Sequence, residues 1–271
     1  MVKDAPEVFI VGANADIGSS LLRHFAADGW RVGGTYRHAI PDVAGVPASA
    51  DPFFIACDFS AVGAAAEVAD RYARAGRKWD VLVSAVGTML PVGNFMETPF
   101  ADWERSLRVN FLSQLEVVHG LYPHRRPGSV AHAVFLAGGG TNGPFRSYSA
   151  YCLSKIGLIK ACELLDDECE DLNVFILGPG WVRTKIHAET IASGSQAGEN
   201  LERTRRFLES DEPGTPHDAI YRCICWGMEM GREVVGGRNF SVVHDPWGTA
   251  EFSARLKADR NLCKLRRWNP Q

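Results

Sequence analysis

The stretch EVFIVGANADIGSSLLRHFAADG, Glu7–Gly29, decides the fold. Glu7–Val11 is a short apolar run that predicts a β-strand, and a glycine follows it directly. Ile17–Ala27 repeats apolar residues at helical spacing and stops at Asp28-Gly29, a typical helix end. A strand, a glycine-rich turn and a helix in this order indicate the opening βα unit of a parallel sheet.

The same alternation of strands and helices continues along the chain. Further strands are predicted at Trp30–Tyr36, Phe53–Cys57, Trp79–Ser84, Ser129–Ala137, Leu172–Leu177 and Asn239–Val243. Helices are predicted at Ala61–Ala75, Pro99–Leu121, Ala150–Glu168 and His217–Met230. Alternating elements of these lengths predict an α/β fold, a single doubly wound parallel sheet (Rossmann-like) with helices on both faces. Because no interior linker or repeat interrupts the pattern, we expect one domain over residues 1–271.

The composition excludes several classes of protein. The chain has 271 residues, 29 basic and 32 acidic side chains and a net charge of −3, which argues against a nucleic-acid partner. An apolar share of 46% excludes intrinsic disorder, and no long apolar run predicts a membrane span. The seven cysteines are an odd number without CxxC spacing, so we expect a reduced, cytoplasmic protein.

Two segments depart from the regular alternation. Residues 185–214 are polar and lack a clear period, which is typical of a mobile substrate loop but also of a plain surface insertion. The basic tail, Phe252–Gln271, contains Leu262, Leu265 and Trp268. It is either a solvated terminus or a cover for the site or for a partner subunit.

The glycine turn after the first strand predicts a dinucleotide site. Gly12 allows the tight exit from the strand, and Gly18 allows close helix packing, so that N–H groups at the helix start face a pyrophosphate. The candidate contacts of the turn are Gly12, Asn14, Asp16, Ile17 and Gly18. Because the Asp16 carboxylate would repel phosphate, we expect it to turn away and accept backbone N–H groups.

Arg37, at the end of the second strand, predicts which dinucleotide is bound. An acidic residue there would bind the ribose 2′-hydroxyl of NAD, whereas a guanidinium suits a 2′-phosphate, so we expect NADP rather than NAD. The alternative is that Arg37 is simply exposed. Further cofactor contacts are predicted at Asp58, Phe59, Ala85 and Gly87, which follow the third and fourth strands.

Tyr151 and Lys155 are the candidate catalytic pair. Their spacing of four residues places the phenol and the ammonium on one face of a helix. A nearby cation is expected to lower the pKa of the tyrosine, which would make Tyr151 a general acid or base for a carbonyl and alcohol pair.

Taken together, the motifs resemble the short-chain dehydrogenase/reductase family from Gly12 to about Val243. The motifs follow in the order Gly12…Gly18, Asp58, Ser84-Ala85-Val86-Gly87, Asn110, Tyr151…Lys155 and Pro179-Gly180-Trp181-Val182-Arg183-Thr184. The resemblance implies that Asn110 holds a water in a proton relay and that Lys155 also binds the nicotinamide ribose. It implies that Val182 and Thr184, with Pro179 and Gly180, contact the nicotinamide. It also implies a homodimer or homotetramer through the helices Pro99–Leu121 and Ala150–Glu168.

The chain departs from the family pattern at four places. Val11 replaces the usual threonine, Asp16 replaces a glycine, and Ser84-Ala85-Val86-Gly87 replaces Asn-Asn-Ala-Gly. The family's catalytic serine lies about thirteen residues before the tyrosine, where this chain has Gly138. Loss of such a hydrogen-bond donor costs a few kcal/mol of transition-state stabilisation. Thr141 is the first candidate substitute, ahead of Asn142 and Ser147; backbone N–H groups or a bulky substrate are the alternatives.

These features predict an NADP-dependent oxidoreductase that moves a hydride between nicotinamide and a carbonyl or secondary alcohol. The alternative is a degenerate member that binds the dinucleotide as a sensor or assembly subunit. The stretches Gly139–Asn142 and Gly237–Trp247 also resemble a branch of the family linked to bacterial surface-polysaccharide clusters, which suggests a sugar or nucleotide-sugar substrate. None of the histidines is spaced as a metal ligand, so no metal is expected.

Overall fold

A computed structural model describes residues 5–267. The strands are β1 Glu7–Val11, β2 Arg31–Tyr36, β3 Phe53–Ala56, β4 Val81–Ser84, β5 Ala131–Leu136, β6 Leu172–Gly178 and β7 Asn239–Ser241. The main helices are α1 Asp16–Ala27, α2 Ala64–Arg74, α3 Phe100–Leu107, α4 Ser113–Leu121, α5 Ser149–Glu168, α6 Ile186–Ala192, α7 Glu199–Glu209, α8 His217–Met230, α9 Arg232–Val235 and α10 Ala250–Ala258. In the part of the chain between residues 5 and 267, no helix is long and apolar enough to cross a membrane.

All seven strands form one parallel sheet in the order β3-β2-β1-β4-β5-β6-β7. The chain reverses its direction of winding between β1 and β4, whose last residues, Val11 and Ser84, are paired. In open α/β sheets ligands bind at this switch point, beyond the carboxyl ends of the strands. The predicted doubly wound sheet is therefore confirmed.

Successive side chains of the strands face two different layers of helices, because strand side chains alternate between the two faces of a sheet. Val8 and Ile10 of β1 pack with α1 and α8, whereas Phe9 and Val11 pack with α2, α4 and α5. The cysteines belong to this packing: Cys223 and Cys162 are fully buried, and all seven are free thiols.

The predicted helix Pro99–Leu121 is interrupted. A π-helical turn at Arg108–Leu112 separates α3 from α4. Gln114 compensates for the changed backbone hydrogen bonds, since its side-chain amide donates to the carbonyls of Asn110 at 2.8 Å and Val109 at 3.3 Å. Such single-turn π-bulges are frequent at functional sites, and this one carries Asn110.

The segment 185–214 was predicted to be irregular and is largely helical. It contains α6, a 3₁₀ turn at Gly194–Ala197 and α7. Arg183 fixes the carboxyl end of α7, because its guanidinium donates to the carbonyls of Leu208 at 3.0 Å and Phe207 at 2.9 Å. The same guanidinium donates to the carbonyl of Glu212 at 2.8 Å.

The described part of the tail packs against the rest of the chain, so it is not simply a solvated terminus. Phe252 and Leu256 of α10 are buried in the core with 4% and 0% exposure. Beyond α10 the carbonyl of Cys263 accepts the N–H of Asn239 at 2.8 Å, so the tail covers the edge of β7. The prediction for Trp268 concerns a position outside the described residues.

Candidate active site

The main cleft opens at the carboxyl edge of the sheet and has a volume of about 900 Å³. That volume lies within the roughly 300–1,000 Å³ of typical cofactor sites. The predicted cofactor contacts that line it are Gly12, Asn14, Arg37, Asp58, Phe59, Ala85 and Gly87. The other walls come from the loop after β4, from α3 and from the segment that contains α6.

The turn from β1 to α1 has the shape of a phosphate cradle. Gly12 has a φ of +84°, and its N–H donates to the Thr35 hydroxyl at 2.9 Å. A side chain at Gly18 would collide with the Gly12 carbonyl and lie 3.3 Å from the Ala13 Cα. α1 begins at Asp16, and within residues 5–267 no side chain caps the first N–H groups of this helix. These N–H groups can therefore donate to a bound anion.

Asp16 turns away from the cradle, as expected, but toward an unexpected partner. Its Oδ2 accepts the backbone N–H of Lys185 at 2.7 Å. The contact links the first turn of α1 to the segment after β6 across 169 residues of chain.

The far end of the cleft holds the residues expected to meet the adenosine. Arg37 is exposed at the end of β2 and Asp58 is exposed after β3. The pKa of Asp58 is below its usual value because its carboxylate accepts the Ser60 N–H and lies near the cations Arg37 and His38. Phe59 is buried below them.

Tyr151 and Lys155 lie together in the first turns of α5 and are 6% and 3% exposed. The Lys155 ammonium lies 5.7 Å from the centre of the Tyr151 ring and donates to the Leu136 carbonyl at 2.8 Å. Burial raises the pKa of Tyr151, and burial lowers the pKa of Lys155 to about 8. The expected lowering of the tyrosine pKa by Lys155 is not seen in the chain alone, where burial is the largest cause of the raised pKa.

Asn110 connects the π-turn to the loop after β4. Its Oδ1 accepts the Thr88 N–H at 2.9 Å, and its Nδ2 donates to the Thr88 carbonyl at 2.8 Å and to Ser106 Oγ at 3.1 Å. A Cβ at Gly87 would lie 3.5 Å from Asn110 Oδ1 and 3.9 Å from Lys155 Nζ. The structure thus brings Asn110, Lys155 and Gly87 into one neighbourhood.

Gly138 has a structural reason to be a glycine. A Cβ at this position would lie 2.6 Å from Cζ and 2.9 Å from Cε1 of Tyr151, and nearer still to the phenol oxygen. The tyrosine head therefore fills the space that a serine side chain would need. Thr141 lies in the turn beyond and is half-buried, and it does not line the main cleft.

A family model described as "short chain dehydrogenase" matches residues 6–193. The chain belongs to the short-chain dehydrogenase family. It is an oxidoreductase of this family, whose members bind NAD or NADP.

Relatives and solved structures agree with this assignment. The chain is 26% identical over 222 residues to a serine 3-dehydrogenase of Rhizobium radiobacter, which covers 76% of this chain and 83% of the relative. A short-chain dehydrogenase/reductase structure from Saccharomyces cerevisiae has a TM-score of 0.77 at 22% identity and covers 92% of this chain and 99% of its own. A Shigella flexneri short-chain dehydrogenase structure, complexed with NADP, has a TM-score of 0.70 at 17% identity. The match covers 88% of this chain and 96% of the Shigella flexneri chain.

Several residues predicted for the enzyme's site lie outside the main cleft. Those that do not line it are Asp16, Ile17, Gly18, Asn110, Thr141, Tyr151, Lys155, Pro179, Gly180, Val182 and Thr184. Val182 is buried and bridges to Gly214, and Gly180 turns with a φ of +77° against Thr215 and Val243. The motif after β6 thus packs against the end of the segment 185–214 and the residues that follow it.

Glu189 of α6 is the main residue that the sequence reasoning missed. Its carboxylate accepts the Thr88 hydroxyl at 3.0 Å and the Met89 N–H at 2.6 Å. The next residue, Thr190, accepts the hydroxyl of the buried Tyr148 at 2.9 Å. The spacing of Ile186, Glu189 and Thr190 is compatible with one helix face, which is the only sequence signal for this contact. The hydrogen-bond partners of Glu189, namely Thr88 and Met89, could not be predicted because they lie about 100 residues earlier in the chain.

The residues present fit a bound dinucleotide. Gly12, Gly18 and Gly87 leave a backbone cradle that side chains would fill, and Arg37 offers a cation at the far end. Lys155 has a buried ammonium that donates to one acceptor within residues 5–267, the Leu136 carbonyl at 2.8 Å. A ribose hydroxyl beside Gly87 would supply a second acceptor for this ammonium.

Proposed function

We propose that the enzyme is an NADP-dependent oxidoreductase that transfers a hydride between the nicotinamide and a carbonyl or secondary alcohol. One observation carries the proposal. Asn110 and Lys155 lie beside Gly87 at one end of the cleft, with Tyr151 next to Lys155 on α5, while Arg37 lines the cleft at the end of β2. A dinucleotide held by the glycine cradle spans these two ends.

Tyr151 acts as the general acid and base of the reaction. When bound, the nicotinamide supplies or accepts the hydride. Burial raises the pKa of Tyr151, so its phenol is protonated at neutral pH and can donate a proton to a carbonyl oxygen during reduction. Lys155 holds the ribose, and Asn110 holds the loop at Thr88 and a water of the proton relay.

Arg37 supports NADP over NAD. It is exposed at the end of β2, and its positive charge lies beside Asp58, where the adenosine ribose is expected. A guanidinium pairs with a phosphate through two hydrogen bonds, each strengthened by charge. The NADP bound to the Shigella flexneri neighbour agrees with this choice.

The substrate is a small hydroxy or oxo compound. The name of the relative from Rhizobium radiobacter suggests a hydroxy amino acid, and that of a benzil reductase from Bacillus subtilis, 24% identical over 167 residues, suggests a ketone. A sugar or nucleotide sugar, as in surface-polysaccharide synthesis, stays a hypothesis from the sequence. A backbone N–H of the glycine run orients the carbonyl in place of the missing serine, and Thr141, which does not line the cleft, is the alternative.

A second candidate function is a cofactor-binding sensor without turnover. Gly138 favours it, because no hydroxyl is available at the family's serine position. The buried Tyr151 also lies outside the residues that line the cleft. Against it stands the retention of Tyr151, Lys155 and Asn110 in one neighbourhood.

The assembly is proposed to be a homodimer or homotetramer of single-domain chains. Phe100 on α3, Leu112 on the π-turn, and Leu153 and Leu164 on α5 are between 40% and 58% exposed. A second copy of the chain would bury these apolar side chains. The seven free thiols suit a reducing compartment such as the cytoplasm.

A cofactor-oxidation screen tests the proposal. Purified protein is mixed with NADPH or NADH and with keto-sugars, nucleotide sugars, hydroxy amino acids and simple ketones, and absorbance of the reduced cofactor is followed. We expect turnover with NADPH on at least one carbonyl class. Cofactor binding without turnover across the screen would favour the sensor, and equal binding of NADH and NADPH would contradict the role of Arg37.

A further inference from the structure

Glu189 gives a negative charge to the end of the cleft near Gly87, Tyr151 and Lys155, which we call the reaction end. The side chain is half-buried and lines the cleft from α6. Three hydrogen bonds from the neutral groups of Thr88 and Met89, 2.6–3.1 Å long, hold its carboxylate in place. The position is therefore fixed, and it adjoins the Thr88 backbone that Asn110 binds.

Among residues 5–267 no cation forms an ion pair with this carboxylate, since no lysine, arginine or histidine nitrogen lies within 4 Å of the Glu189 oxygens. The carboxylate also acts on Tyr151, where it adds to the effect of burial in raising the phenol's pKa. Its charge is thus felt at the atom that exchanges the proton.

Lys155 brings a positive charge to the same end of the cleft, but its ammonium is buried, donates to the Leu136 carbonyl and does not line the cleft as Glu189 does. Glu97 lines the same cleft, and Asp102 and Arg105 neutralise each other in an ion pair at 2.8 Å. Arg37 lies at the end of β2, beside Asp58. The walls near Glu189 therefore favour a cation or a hydrogen-bond donor and disfavour an anion.

Resting on the proposed function, we propose that Glu189 selects the substrate by charge. The favoured substrate is a hydroxy or oxo compound with an ammonium group next to the reacting carbon. A substrate that carries a carboxylate or phosphate next to the reacting carbon is disfavoured, because Glu189 repels it. In the reductive direction the carbonyl carbon receives the hydride of the reduced nicotinamide and the oxygen receives the Tyr151 proton, which yields the amino alcohol and the oxidised cofactor. Nucleotide sugars, with their diphosphate, are poor candidates on this ground.

Three small ketones test the proposal. Aminoacetone, hydroxyacetone and pyruvate share an acetyl group and carry a cationic, neutral and anionic neighbour, respectively. One charge in a partly exposed cleft changes kcat/KM by about tenfold. We therefore expect the wild type to prefer aminoacetone to pyruvate by about 100-fold, with hydroxyacetone between them.

The variant Glu189→Gln removes the charge and keeps the shape. We expect its preference for aminoacetone over pyruvate to fall to within a few-fold of unity, mainly through KM, while Glu189→Asp keeps the preference. Glu209→Gln, an exposed carboxylate of the same segment, is the matched control and keeps the wild-type ratio. An unchanged ratio in Glu189→Gln, with an unchanged melting temperature, would overturn the proposal.

Binding separates this proposal from the proposed function. If the wild type reduces none of the ketones, the affinities of aminoacetone and pyruvate are measured by calorimetry in the presence of NADP. A cation preference that Glu189→Gln abolishes supports the role of Glu189 even then. Equal affinities, or tighter binding of pyruvate, contradict it.

Discussion

The two ends of the cleft are built in different ways. The end near Arg37 consists of backbone turns and exposed charges, with Gly12 held by Thr35 and Asp58 held by Ser60. The end near Gly87 consists of buried side chains, with Tyr151 and Lys155 nearly inaccessible. Both ends depart from the family pattern, the first at Val11 and Asp16 in the glycine turn and the second at Ser84–Gly87 and Gly138. The part of the cleft proposed to bind the cofactor is therefore formed by local backbone turns, whereas the position of the proposed catalytic side chains depends on packing in the core.

The buried Lys155 ammonium lowers the free energy of unfolding, whereas the charged groups near Arg37 are exposed and carry no such cost. The Lys155 pKa of about 8 lies below the 10.5 of an exposed lysine, so the unfolded chain binds more protons between these pH values. The free energy of unfolding should rise with pH from about 8 to about 10.5. The variant Lys155→Met is expected to stabilise the chain without cofactor at pH 7 by on the order of 3 kcal/mol and to abolish turnover.

Denaturant unfolding between pH 6 and 10 measures this effect, with the exposed Lys257→Met as control. A wild-type stability that does not change over this range, or a destabilised Lys155→Met, would show that the ammonium is better solvated than its burial implies.

Gly138→Ser restores the family's serine and tests the packing directly. The new Cβ would displace the Tyr151 ring, and a misplacement of about 1 Å costs about 100-fold in rate. We expect about a 100-fold loss of kcat with little change in NADPH affinity. Gly143→Ser, where a Cβ meets nothing within 4 Å, is the control. Increased turnover in Gly138→Ser would mean that the cleft accepts the serine after all.

Arg37→Ala tests the adenosine end alone. Loss of a charge-assisted hydrogen bond to a phosphate weakens binding by about 10- to 100-fold. We expect this loss for NADPH, almost none for NADH, and an unchanged kcat at saturating cofactor. Cofactor fluorescence titration measures both affinities, with the exposed Arg71→Ala as control. Equal losses for the two cofactors would remove the 2′-phosphate contact from the account.

Thr141→Ala should have the smallest effect. Thr141 is half-buried in the turn after β5 and does not line the cleft, so we expect less than about a tenfold loss of kcat/KM. Steady-state kinetics on any accepted ketone measures it, with Ser147→Ala alongside. A loss of 100-fold or more would identify Thr141 as the group that replaces the family's serine.

The sequence was informative where local geometry decides. Glycine turns, strand periodicity and the order of motifs predicted the parallel sheet and the tight turn at Gly12, whereas the 2′-phosphate contact of Arg37 stays a prediction. The elements that it missed depend on partners far along the chain. The π-turn needs Gln114, the helical fold of 185–214 needs Arg183, and the carboxylate of Glu189 is held by residues 100 positions earlier.

The catalytic pair shows the same limit. The spacing of Tyr151 and Lys155 correctly placed both side chains on one helix face, but it did not reveal their burial. Burial reverses the expected direction of the tyrosine's pKa and explains why Gly138 is small. Sequence periodicity predicts which face of a helix carries a residue, but it does not predict which residues of other elements pack against that face.

Turnover and cofactor binding of Tyr151→Phe, measured on one sample, test whether Tyr151 exchanges the proton with the substrate. The substitution removes only the phenol oxygen, and loss of a general acid costs about 10²- to 10⁴-fold in rate. The account predicts that NADPH oxidation falls by this factor while the NADPH dissociation constant stays within about twofold of the wild type. Unchanged turnover with the same carbonyl would contradict the assignment of Tyr151 as the group that exchanges the proton.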